Sequence, residues 1–136
     1  MATVLRKDDQ PRLTSTRDGR DRIDLVTEEL FGTTGLKADL ITYHPGDSAA
    51  AHYHTDCDHY FFVLRGEGTL HVDDREEKLA SGDVVRVVAD EVHWFSNPHD
   101  QEFEFIELWV PAPSNTVWVN DGDVCTWAPA DAASEG

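Results

Sequence analysis

The chain has 136 residues, enough for one modest core, and no stretch approaches the ~20 consecutive apolar residues that a membrane-spanning helix needs. Its 27 acidic against 11 basic residues give a net charge of −16, which repels nucleic-acid phosphates and anionic lipid and argues against both as partners. Aspartate dominates, with 17 residues against three lysines, and residues 1–22 hold six of the basic groups, so that the rest of the chain carries −18.

An acid-rich, lysine-poor surface suits a cytoplasm of high salt, where screening removes the self-repulsion; the alternative is an acidic protein of an ordinary cytoplasm. Met1 to Gln10 carries Arg6, Lys7, Asp8 and Asp9 with no apolar stretch, so a cytoplasmic location without a secretory signal is expected. Cys57 and Cys125 are too few for a disulfide framework. Further along, Ile23, Val26 and Leu30 are spaced for one short helix before Gly32, while Ile23-Asp24-Leu25 equally begins an edge strand. Short runs rich in Val, Ile, Phe, Tyr and Trp then predict strands over Leu36–Tyr43, His59–Arg65, Thr69–Val72, Val84–Val88 and Phe103–Val110. Turn signals separate them at Pro45-Gly46, Gly66-Glu67-Gly68, Asp73-Asp74, Ser81-Gly82 and Asn97-Pro98. Regular short strands without long helical windows predict an all-β sandwich or jelly roll. Trp118 and Trp127 lie in an otherwise polar C-terminal segment, want burial, and make a homodimer interface a natural place for it. The tail Ala130–Gly136 reads as frayed.

Two segments carry chemistry. The first reads Gly46-x5-His52-x-His54-x4-His59-x6-Gly66 and the second Gly82-Asp83-x9-His93-x3-Asn97. Residues i and i+2 of a strand share a face, so His52 and His54 can reach one ion. His59 lies an odd number of positions from His54, and the turn-forming Thr55-Asp56-Cys57-Asp58 can swing it back from a neighbouring strand. His93 closes the set, and neutral imidazoles suit zinc, copper, iron or nickel as a divalent ion.

These segments resemble the two signature motifs of the cupin superfamily, directly over Gly46 to Asn97 and by strand pattern over about Leu36 to Pro111. His59 stands where that family usually has glutamate, Val88 where it has proline, and Asp90 where it has glycine. The resemblance implies a double-stranded β-helix (jelly-roll) barrel over residues 32–111, with an N-terminal arm 1–31 and a C-terminal extension 112–136. It also implies a metal site like that of small cupins with four histidines, which bind manganese, copper, zinc or iron-type ions: His52, His54, His59 and His93.

Parity extends the site. If His59 points inward, so do Phe61 and Val63; if His93 does, so does Phe95. On Phe103–Val110 one face is Phe103, Phe105, Glu107 and Trp109, which similar small cupins turn into the cavity; otherwise Glu107 meets solvent and Ile106 and Leu108 are core. In the first case Glu107 supports a ligand imidazole or acts as general acid or base, and Phe61, Phe95, Phe105 and Trp109 wall the substrate pocket. His71 reads as half-buried rather than cavity-lining, His44 and His99 as surface, and Cys57 as a neighbour of the site. Four neutral ligands leave a divalent ion its full charge and favour a small anionic, chelating substrate. The expected activity is that of a metal-dependent dioxygenase acting on an enolate-, diketone- or catechol-like compound. An isomerase or lyase and a non-catalytic metal- or ligand-binding protein are the alternatives. Because the −16 charge needs screening, thermal stability is expected to rise steeply with ionic strength. Equal melting temperatures in dilute buffer and in molar potassium chloride would contradict it.

Overall fold

The computed structural model describes residues 1–130; residues 131–136, which make up nearly all of the expected frayed tail, lie outside the described residues. Two antiparallel sheets face each other. The larger holds β1 (Arg12–Ser15), β2 (Asp21–Val26), β3 (Lys37–Tyr43), β5 (Asp58–Arg65), β8 (Val84–Val87), β10 (Phe103–Val110) and β12 (Trp127–Pro129). Their order is β12-β1-β2-β3-β10-β5-β8. The smaller holds β4 (His52–Tyr53), β6 (Glu67–Val72), β7 (Arg75–Ala80), β9 (His93–Ser96) and β11 (Val117–Trp118), in the order β11-β4-β9-β6-β7. This is the double-stranded β-helix that the family resemblance implies, within the all-β class that the strand pattern predicts.

Alternation along each strand builds the interior. On β5, His59, Phe61 and Val63 are buried while Phe62 and Leu64 face out. On β10 the buried residues are Phe103, Phe105 and Trp109. Phe61, Phe95 and Phe105 meet with ring centroids 4.6 to 5.3 Å apart, and Tyr43 and Phe103 close the cluster at 5.8 Å. Burial of each such ring stabilises the fold by about 1.5–3 kcal/mol, which makes this cluster the floor on which the site stands.

The termini are woven into the same sheets. The two readings of Ile23, Val26 and Leu30 both occur in succession: strand β2, then a one-turn helix α1 (Glu28–Phe31) whose Thr27 Oγ1 accepts from the Leu30 N–H at 3.2 Å. β2 is no edge strand, because β1 covers one side of it and β3 the other. From the other terminus, β12 pairs with β1 and β11 pairs with β4. Sequence patterning missed β7, where five of six residues are exposed and only Leu79 is buried. It is a charged edge strand, the usual defence against edge-to-edge pairing.

The turns explain the signature residues. Asp90, in place of the family's glycine, adopts the left-handed φ of 71° that aspartate tolerates. Asn97 is a pin rather than a ligand: its Nδ2 donates to the carbonyls of Tyr43 at 3.1 Å and Gln101 at 2.7 Å. Gly66 has φ +76°, and a β-carbon there would fall on the carbonyl of Glu102. Gly66→Ala is therefore expected to destabilise the chain by about 2–4 kcal/mol, from the left-handed cost plus overpacking. Gly35→Ala, with only the Thr33 hydroxyl near it, should shift urea midpoints little by comparison.

Candidate metal centre

Three imidazoles converge from the smaller sheet. His52 and His93 are directly opposed residues of β4 and β9, and His54 follows β4. Ring centroids lie 4.5 Å (His52–His93), 5.4 Å (His52–His54) and 6.0 Å (His54–His93) apart, and a nitrogen from each ring lies within 4.8 Å of the others. Backbone carbonyls decide which nitrogen is free. His52 Nδ1 is 2.8 Å from the Ala50 oxygen, His93 Nδ1 2.9 Å from Glu91, and His54 Nδ1 3.0 Å from Asn115. A carbonyl can only accept, so each Nδ1 carries the proton and each Nε2 presents a lone pair. The His93 Nε2 is buried with no partner, while that of His54 accepts from the Trp109 indole N–H at 3.3 Å. An orphaned, desolvated lone pair among neutral imidazoles fits a divalent transition ion.

His59 departs from the four-histidine convergence that the sequence predicts. It comes from β5 on the facing sheet, with its ring 5.4 Å from that of His54 and 5.6 Å from that of His93. It stands outside the group of three, with neither ring nitrogen meeting the 4.8 Å spacing, and its Nε2 donates to Glu107 Oε2 at 3.1 Å. Trp109 stacks on one face at 4.3 Å and Phe61 packs at 4.0 Å, leaving Nδ1 buried without a partner.

Glu107 lies on the inner face of β10 and lines the cavity, in register with Asp39 of β3, which is in turn in register with Asp24 of β2. Asp39 is fully buried, with the Glu107 carboxyl beside it and Arg22 Nε 3.9 Å from its Oδ2. Burial, reinforced by the adjacent Glu107, raises its pKa well above the usual carboxylate range, so Asp39 keeps its proton. Burial acts on Glu107 too, but the His59 hydrogen bond, Asp39 and Lys37 outweigh it and hold that carboxyl below its ordinary value. The result is a charged Glu107 between a neutral acid and a neutral imidazole.

The cavity around these groups measures ≈ 230 Å³, and Phe61, Phe95, Phe105 and Trp109 line it together with the four histidines. Sequence reasoning missed Arg20, Arg22 and Lys37, which also line it. Lys37 is placed there by its pairing with Trp109, a register that no single strand reveals. Trp118 and Trp127 are used within the chain: Trp118 packs 5.2 Å from the His52 ring, and Trp127 lies beneath the Arg20 and Arg22 guanidinium groups. His71 stacks on Trp94 at 4.4 Å, away from the cavity, and His44 and His99 lie at the surface with acidic neighbours. Cys57 is buried nearby, but burial, with Asp56 and Asp58 beside it, pushes its thiol up to about 11, which keeps it protonated.

A family model described as the cupin domain matches residues 39–111. An oxalate-binding protein of Thermotoga maritima is 24% identical over 100 residues, covering 71% of this chain and 83% of that one. Among solved structures, a sugar phosphate isomerase from a cupin superfamily, from Silicibacter pomeroyi, aligns with TM-score 0.73 and 20% identity over 95% of this chain and 94% of its own. A polyketide cyclase of Streptomyces resistomycificus aligns with TM-score 0.73 and 18% identity over 88% of this chain and 87% of its own. At these identities the solved structures share the fold.

Burial, with the neighbouring histidines, brings His52 down to about 4 and His93 well below its usual value; burial likewise lowers His59. Rings held neutral when folded and free to charge when unfolded cost stability as pH falls. The loss begins near ~6.5, where an unfolded histidine titrates. It continues toward about 4, where folded His52 takes its own proton. Asp39 works the opposite way, since acid relieves the cost of keeping it protonated. Melting temperatures of the metal-stripped chain at fixed molar salt should show a pH slope across this window that His52→Gln flattens. Identical slopes for the two chains would mean that the His52 ring is solvated.

Proposed function

The chain belongs to the cupin-domain family, and from that premise we propose a metal-dependent enzyme acting on a small anionic compound that chelates the ion. Its reaction turns on a proton moved by Glu107, as in an isomerase or lyase. The observation that carries this reading is the Glu107 carboxylate, hydrogen-bonded to His59, in the same cavity as the clustered His52, His54 and His93 rings. His52, His54 and His93 hold the ion through Nε2. His59, whose buried Nδ1 has no partner, is the fourth ligand, in the place the family usually gives to glutamate. Glu107 supports that role by holding the proton on Nε2, which leaves Nδ1 basic.

When bound, the ion supplies Lewis acidity, since neutral imidazoles leave it the full +2 charge that favours a chelating anion. Glu107 is the base for a proton next to the polarised group, and the protonated Asp39 behind it offsets the charge lost when that proton arrives. Phe61, Phe95, Phe105 and Trp109 keep water away from the reacting atoms. Those same aromatic walls favour a second reading, a dioxygenase acting on an enolate-, diketone- or catechol-like compound. The oxalate-binding relative supports a third, in which the chain only binds its ligand.

Oxygen separates the readings: the first gives undiminished turnover in anaerobic buffer, and the second gives none. Glu107→Gln is expected to keep the ion, measured by elemental analysis, while lowering kcat by about 10²–10⁴-fold. A Glu107→Gln chain with unchanged kcat would remove Glu107 from the chemistry. His59→Ala is expected to weaken metal retention against a competing chelator, with the β-sheet circular dichroism unchanged; full retention would leave a three-histidine site.

A further inference from the structure

Resting on the metal-site reading, we infer that Arg22 and Lys37 form an anion-binding subsite in the same cavity. The substrate is then a dianion, with a carboxylate or phosphate group at the end remote from its chelating group. Both cations line the cavity: Lys37 has no ion-pair partner among the described residues, and Arg22 is paired only through its Nε. Lys37 Nζ stands 5.0 Å over the Trp109 ring and takes part in no ion pair among the described residues. Arg22 turns its Nε toward Asp24 at 2.9 Å and Asp39 at 3.9 Å, and its guanidinium lies 4.9 Å over Trp127. Its terminal nitrogens, the pair suited to grip a carboxylate or phosphate, make no hydrogen bond among the described residues.

Arg20 supplies the contrast. It is buried over Trp127, with Nε donating to Asp18 at 2.8 Å and Nη2 to Cys125 at 3.4 Å, which leaves Arg22 as the arginine with a free fork. In a chain with 27 acidic residues, a lysine with no ion pair among the described residues and an arginine whose terminal fork is free, both lining one cavity, suit an anion from outside.

Position sets the length of that ligand. The metal-facing nitrogens come from β4 and β9, whereas Arg22 lies on β2, separated from β5 and His59 by the width of β3 and β10. Neighbouring strands are about 4.8 Å apart, so these three spacings put the offset on the order of 14 Å before side chains reach inward. A two-carbon dianion that chelates with both carboxylates leaves nothing for Arg22. A longer one meets both ends.

Calorimetry on the zinc-loaded chain at one fixed salt tests this with three 2-oxo acids that share a chelating end: pyruvate, 2-oxoglutarate and 3-phosphonopyruvate. At least one of the two dianions should bind about tenfold or more tighter than pyruvate, and which one does separates a carboxylate from a phosphate source. Lys37→Met breaks no internal ion pair and should reduce that preference toward one, with pyruvate affinity and zinc stoichiometry unchanged. Arg22→Gln should do the same, and Arg22→Lys should restore part of it. No preference in the parent chain, or a preference that survives Lys37→Met, would overturn the subsite. Failure to take up zinc would sink the metal reading separately. The subsite would then be judged on the metal-free chain by glutarate against butyrate, with Lys37→Met again required to abolish the difference.

Discussion

Three hydrogen bonds to main-chain carbonyls decide what this cavity can do. By fixing the proton on Nδ1 of His52, His54 and His93, the oxygens of Ala50, Asn115 and Glu91 leave three Nε2 lone pairs in a desolvated space. Two of those carbonyls lie two residues before their own histidine, so they arrive with the strand. The third comes from the C-terminal segment, which also lays Trp118 against His52 and pairs β11 with β4. That segment is therefore a wall of the site, and shortening the chain before Asn115 would remove an orienting partner from His54.

Charge is arranged with equal economy. The net charge of −16 contrasts with a cavity lined by Arg20, Arg22 and Lys37 and the single carboxylate Glu107, with Asp18 and Asp24 completing the balance behind them. Asp39 makes that balance workable: fully buried and protonated behind Glu107, it avoids a second buried negative charge. Glu107 keeps its charge because His59 donates to it, and His59 stays neutral because burial disfavours the imidazolium. Each of the three holds the protonation state of the next.

Much of this was legible from spacing and parity. The His-x-His pair, the punctuating glycines and the alternation on Phe103–Val110 carried the barrel, the inward aromatic face and the cavity position of Glu107. What one strand cannot reveal is its neighbour's register. Asp39 and Lys37 matter because β3 pairs with β10, and Arg22 because β2 lies inside the sheet rather than at its edge. The ring orientation of His59 was equally hidden, since its competing partner, Glu107, is 48 residues away. The two tryptophans read for an interface show the same limit: composition does not reveal that His52 and the Arg20 and Arg22 guanidinium groups already cover part of them within the chain.

The central claim is that imidazole nitrogens alone, from His52, His54 and His93 with His59 as the fourth, hold one divalent ion. X-ray absorption on the zinc-loaded chain measures it most directly. The expected spectrum has a first shell of nitrogen and oxygen only, near ~2.0–2.1 Å, with outer-shell scattering from three to four imidazole rings. Sulfur scattering near ~2.3 Å, which would bring a cysteine thiolate into the shell, or fewer than three rings, would contradict it.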